Sequence, residues 1–265
     1  MKTKAGTEAV LSPDEVHRIL EVCSPEGTLV GGQALGFWAD HFDVPRPPDL
    51  IAAVSADVDF IGGSALAERL AKVLGWTPWI PSLDDATSQS GKVTFTLRDG
   101  SIKQVDFLYS VVGLATTDVI RRAIEMRVPE IGRVRVMHPV DVLDSRIQNI
   151  LLLAEKRTPA GIAQAHLATS VVHAFIRQEI QSGGERAGLN LLERIARIAE
   201  GACAIRIFCM YGVDPLAAVP IEDFRTTTAL HTKRWPQILA QVTNAREKEQ
   251  ARLARAKKPT ARKKR

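Results

Sequence analysis

Three carboxylates have the type and spacing to do chemistry: Asp57, Asp59 and Asp106. In Asp57-Val58-Asp59-Phe60 acids alternate with apolar residues, and alternate side chains of an extended strand share a face. Both acids should therefore point one way and Val58 and Phe60 the other. Asp106 stands in a segment of the same character, Val105-Asp106-Phe107-Leu108. Carboxylates converging on adjacent strands repel one another unless cations lie between them. Hard divalent ions with oxygen ligands meet that need, Mg²⁺ above all. Two such ions ~3.5–4 Å apart activate an attacking oxygen and stabilise a leaving one during phosphoryl-type transfer. A D-x-D alone recurs often by chance. One flanked by apolar residues, preceded by strand-Gly-Gly-helix and followed by a third strand aspartate, is far more restrictive.

Gly31-Gly32 follows the short strand Thr28-Leu29-Val30 and opens a helix. Glycine lets the backbone approach a phosphate closely, and a helix N-terminus offers amide N–H groups to it. The bland alternative is a tight turn that needs positive φ. Gly62-Gly63-Ser64 looks similar but directly follows the D-x-D strand, where it redirects the chain. No P-loop and no G-x-G-x-x-G is present, which leaves kinase-type and dinucleotide-binding readings without an anchor.

The elements that must position these residues can be read from pattern. Ser12, Pro13 and Glu15 predict a capped helix start. A helix is expected over Gln33–Phe42, a strand over Val54–Ile61 and an amphipathic helix over Leu66–Leu74. Lys92–Leu97 alternates, Asp99-Gly100 is a two-residue turn signal, and Ile102–Tyr109 returns as the partner strand. Trp76 and Trp79 read as core or edge packing. A helix is expected over Thr117–Val128 and a strand over Val134–Met137. From Pro139 onward β signals nearly vanish, and helices are expected at 139–156, 159–181, 185–211 and 234–255. The fold class is therefore α/β (α+β): a small mixed sheet at 1–137, an all-helical domain at 138–256 and a basic tail at 257–265.

Val30-Gly31-Gly32-Gln33-Ala34-Leu35, Ala56-Asp57-Val58-Asp59-Phe60 and Val105-Asp106-Phe107-Leu108 together resemble the DNA polymerase beta-like nucleotidyltransferase superfamily. The nearest flavour is its bacterial branch of abortive-infection toxins. Pro139-Val140-Asp141-Val142-Leu143-Asp144-Ser145-Arg146 resembles the opening of that branch's helical half. The resemblance covers roughly residues 27 to 157. It implies that Asp57 and Asp59 hold Mg²⁺, that two ions bind, and that Asp106 completes the site and helps deprotonate an acceptor. It further implies that Gly31 and Gly32 cradle the phosphates of a nucleoside triphosphate, with Arg146 where a triphosphate-contacting lysine is common. The chain departs from the pattern in three places. It has Gly-Gly where many members have Gly-Ser, a longer segment between Gly32 and Asp57, and Gly161–His166 where the toxin branch carries a late acidic motif.

Composition sets the outer bounds. The chain has 265 residues, 45% of them hydrophobic and 25% charged, which excludes wholesale disorder. No apolar run approaches the ~20 residues that span a bilayer, and no apolar leader follows the N-terminal lysines, so a cytoplasmic protein is expected. Cys23, Cys203 and Cys209 lack C-x-x-C spacing and read as reduced, buried thiols. The net charge of +5 hides an asymmetry. From Lys233 onward there are 12 Lys/Arg and 2 Asp/Glu, a local +10 that leaves the rest of the chain acidic. Such an arm seeks polyanions, RNA or another nucleic acid being the expected partner. The basic tail Lys257–Arg265, with the apolar-poor helix Ala245–Ala256 before it, is expected to project from the body. His166 and His173 could share a helix face without a third metal ligand, and Arg121-Arg122 and Lys156-Arg157 read as solvated helix charges, with contact to phosphate as the alternative for either pair. The leading expectation is a Mg²⁺-dependent nucleotidyltransferase. The alternative is a non-catalytic protein of that fold that binds nucleic acid, and a blander one is an interaction protein with a solubilising arm.

Overall fold

A computed structural model describes residues 9–24, 26–46, 57–82 and 84–256, with the backbone alone at residue 57. The fold is mixed α and β, with a helical C-terminal half. The expected residues 54–56 of the D-x-D strand and the tail 257–265 lie outside the described residues.

The first helix, α1 (Pro13–Cys23), starts as its sequence demands. Ser12 Oγ accepts from the Glu15 amide, and Glu15 Oε2 accepts from the Ser12 amide at 2.7 Å. Strand β1 (Thr28–Val30) runs straight into α2 (Gly31–His41). There follow β2 (Asp57–Ile61), α3 (Ser64–Leu74), β3 (Thr77–Trp79), β4 (Gln89–Thr96) and β5 (Ile102–Leu108). Then come α4 (Thr116–Arg122), β6 (Ile124–Val128) and β7 (Gly132–Val136). The seven strands form one sheet in the order β3-β4-β5-β2-β1-β7-β6. Strands β2 and β5 are parallel, as are β1 and β7, and the other neighbours are antiparallel.

Register divides the sheet into two faces. Val58 lies opposite Val105 and Phe60 opposite Phe107, all four fully buried, with the two rings stacked at 5.9 Å. The other face of the same strands carries Asp59 opposite Asp106. Apolar alternation thus fixes which way the acids point, because a slip of one residue would drive them into the core.

Two expected helices are corrected. The helix expected over Thr117–Val128 stops at Arg122, and Ile124-Glu125-Met126-Arg127-Val128 forms β6, paired with β7. Its period-two alternation and the following Pro129 favour a strand over continued helix. The helix expected over 185–211 is two helices, broken where Gly201 adopts extended backbone (φ −68°, ψ 141°). Trp79 ends a three-residue edge strand, in keeping with the edge position that its sequence context allowed, and is exposed.

After Val136 the described residues form helices and short turns only. These are α5 (Pro139–Leu152), α6 (Pro159–Gly183), α7 (Glu185–Glu200), α8 (Ala202–Tyr211) and α9 (Trp235–Ala256). A single hydrophobic core runs through both halves. Trp38 of α2 donates from Nε1 to the Met137 carbonyl at 2.8 Å, and Phe42 meets Phe175 of α6 at 6.1 Å. At its start the segment 245–256 packs on the body rather than projecting. Arg246 reaches Asp214 at 3.1 Å and lies 3.6 Å over the Phe208 ring, which holds α9 along α8. Cys23 is buried and its thiol is pushed up to about 12 by burial, whereas Cys203 and Cys209 are only half-buried. Among the described residues no single helix is long and apolar enough to cross a membrane.

Candidate functional site

The junction of β1 with α2 builds one wall of a cleft. Val30 is extended, and Gly31 turns the chain with φ +69°. A Cβ at Gly31 would lie 2.1 Å from Asp59 Oδ2, so the carboxylate rests directly on the glycine. Register explains the contact, since Val30 lies opposite Asp59. Only glycine satisfies both the left-handed backbone and the close approach. The N-cap residue Val30 makes no side-chain capping bond to the first turn of α2, which enters the cleft through Gly31 and Gly32.

Asp59 and Asp106 are register neighbours on parallel strands, so both belong to the same sheet face. Their surroundings differ. Asp59 lines the cleft and Asp106 does not. The Asp106 side chain is 12% exposed, with Lys92 Nζ 3.3 Å from Oδ1. Gln89 Nε2 donates to the same oxygen at 3.0 Å, and Gln104 Nε2 approaches Oδ2 at 3.4 Å. Position 57 lies opposite Gln104 in β2, and its side chain lies outside the described residues. Among the described residues no three His, Cys, Asp or Glu side chains form a metal-binding group. Two neighbouring acids still fit Mg²⁺, which is commonly held by one or two carboxylates plus substrate phosphates.

The cleft has a volume of ≈ 220 Å³. The same cleft is lined by Ser145, Arg146 and Asn149 of α5 and by Lys156 and Gln164. Arg146 is 8% exposed and donates from Nη1 to Gln164 Oε1 at 3.0 Å, while its buried Nε has no hydrogen-bond partner. Burial draws its pKa down from the ordinary arginine value, and the nearby negative charge of Asp59 opposes that shift. A buried guanidinium with unused donor capacity is costly unless an anion completes it.

Sequence reasoning placed Gly31, Gly32, Asp59 and Arg146, and all four line this one cleft. It treated Lys156 and Arg157 alike, and the structure separates them. Lys156 lines the cleft, while Arg157 donates to the Ile150 and Leu151 carbonyls at the end of α5. Arg122 is not a solvated helix charge, because it pairs with the buried Asp141 at 2.9 Å. His166 and His173 line a separate depression with Asp214. Gln164, Gln89 and Lys92 escaped sequence reasoning. Lys92 has a signal only once register is known, because it lies directly opposite Asp106. No protein-family model matches the chain, and no curated protein matches it.

Proposed function

We propose that the cleft binds a nucleoside triphosphate with Mg²⁺ and transfers its nucleotidyl group to an acceptor hydroxyl. The observation that carries this reading is that one cleft holds both halves of the electrostatics. Asp59 offers a carboxylate to a cation, and across from it the buried, under-coordinated Arg146 offers a fork of donors to an anion. Mg²⁺ held by Asp59, with Asp57 two residues before it, would neutralise phosphate charge. Gly31 and Gly32 keep the wall free of side chains, so that phosphate oxygens reach the backbone amides of α2. Arg146 and Lys156 take the charge of the leaving pyrophosphate. The acceptor oxygen bonds to the α-phosphorus, and the α–β bridging P–O bond breaks with its electrons leaving on pyrophosphate. The hydroxyl proton leaves to solvent, since Asp106, the base that the resemblance implies, is not among the residues lining the cleft.

Calorimetry with each of the four NTPs, with and without Mg²⁺, tests the reading. Mg²⁺-dependent binding by the full chain, lost in Asp59→Asn, is expected. Equal binding without Mg²⁺ in both proteins would favour a non-catalytic nucleotidyltransferase-like protein that binds nucleic acid. One observation points that way: Asp106 already has a cation partner in Lys92. We further assign the six Lys/Arg of 257–265 to nucleic-acid phosphates. Deleting 257–265 should flatten the salt dependence of RNA binding and leave Mg²⁺-dependent nucleotide binding intact.

A further inference from the structure

The two register-paired acids are not equivalent, and Lys92 is the reason. It stands on β4 directly opposite Asp106, on the strand side away from Asp59. Its ammonium lies 3.3 Å from Asp106 Oδ1, and the amides of Gln89 and Gln104 approach the two carboxylate oxygens at 3.0 and 3.4 Å. A full positive charge and two polar donors thus serve Asp106 within the protein itself. Asp59 is placed differently: it lines the cleft and lies against Gly31, one strand further from Lys92.

In a two-ion site the third carboxylate helps hold a second divalent cation. Here that cation would have to displace the Lys92 ammonium or sit against it, and like charges at contact distance repel strongly. A single Mg²⁺ needs no such displacement, because one or two carboxylates and the phosphates of the nucleotide complete its oxygen shell. The sheet has supplied with a side chain the charge that a second ion would bring.

We propose that Lys92 is a built-in counter-cation that positions Asp106, and that the cleft consequently takes one divalent ion, at Asp59, rather than two. The proposal rests on the nucleotidyl-transfer reading and replaces the two ions that the resemblance implies. It makes Lys92 a residue that sets metal stoichiometry.

The test is to crystallise the full chain with MnCl₂ and non-hydrolysable NTP analogues and to count anomalous manganese peaks in the cleft. One peak is expected in the wild type, beside Asp59, with Lys92 still on Asp106. Lys92→Met should gain a second peak at Asp106, and Lys92→Arg, which keeps the cation, should retain one. The arginine variant also guards against misreading a folding defect in the methionine variant. Two peaks in the wild type, or an unchanged single peak in Lys92→Met, would overturn the role of Lys92 while leaving the nucleotidyl-transfer reading in place. A cleft with neither nucleotide nor manganese would instead remove that reading and the proposal with it.

Discussion

Helix α5 carries two buried ionic clusters five residues apart, and they are built on opposite principles. At its start, Asp141 is 3% exposed and accepts from Arg122 Nε at 2.9 Å and Arg194 Nη2 at 2.8 Å. His138 closes the group, with Arg194 Nη1 3.2 Å from Nε2 and the Val140 amide donating to Nδ1 at 3.1 Å. At Arg146 the buried charge has one amide partner and an unused Nε. The first cluster ties α4, α5 and α7 together, and none of its members lines the cleft at Gly31 and Asp59. The second faces Asp59 across an opening. On the proposed reading the satisfied charge serves architecture, and the unsatisfied one beside an opening serves a ligand.

Removing the centre of the satisfied cluster should have the largest effect. Asp141→Ala leaves two arginines facing each other without their carboxylate, and breaking a buried pair in this way costs about 3–5 kcal/mol. Urea denaturation should show that loss as a lower midpoint at unchanged slope. A loss below about 1 kcal/mol, the range of exposed pairs, would erase the distinction drawn between the two clusters.

Gly31→Ala comes next and acts on the cleft wall. The left-handed backbone costs an L-residue about 1–2 kcal/mol. The new methyl also forces Asp59 away, since the carboxylate occupies its place. A total of about 2–5 kcal/mol is expected by adding a typical overpacking cost of about 1–3 kcal/mol. Nucleotide binding should fall with it. Wild-type affinity in a folded Gly31→Ala protein would dissociate the glycine from the site.

How much of this was legible in sequence follows from the range of each interaction. The Ser12–Glu15 capping box and the turn at Asp99-Gly100 were legible because their physics spans a few residues. The facing of Asp59 was legible because Val58 and Phe60 must enter the core. Strand β6 was not, because Thr117–Arg122 is a genuine helix and the short alternation after it merges into that signal. The partners of Asp141 lie 19 and 53 residues away. Lys92 meets Asp106 only through the pairing of β4 with β5. Charges whose meaning depends on such pairing look like solvated surface until the register is known.

Arg146→Met sharpens the contrast between the clusters. It removes a buried cation that makes one amide hydrogen bond, so stability should stay level or rise by up to about 1 kcal/mol. Nucleotide affinity should fall at least tenfold, about 1.4 kcal/mol, the scale of a charge-assisted contact. Arg194→Met should do the reverse, lowering stability and leaving affinity within about twofold in the folded protein. Arg146→Met proteins that unfold more easily yet bind nucleotide normally would make Arg146 architectural as well.

The smallest effect expected comes from His138, and its sign is fixed by the company it keeps. Burial pushes its pKa down to about 3, and the positive charges of Arg194 and Arg122 push the same way. In the unfolded chain the imidazole titrates near its ordinary value of 6.5. Between those values the unfolded state binds the proton and the folded state does not, so stability must decline as pH falls. Above pH 6.5 the histidine is neutral in both states and contributes no slope. At pH 5.5 the loss should be about 1 kcal/mol, from one unit of separation. His138→Gln keeps a side-chain acceptor near the Val140 amide and cannot take up the proton. Its denaturation midpoint should therefore vary less between pH 7.5 and 5.5 than that of the wild type. An equal slope in the two proteins would show that His138 becomes protonated in place, and the Asp141 cluster would then have to accommodate a third positive charge.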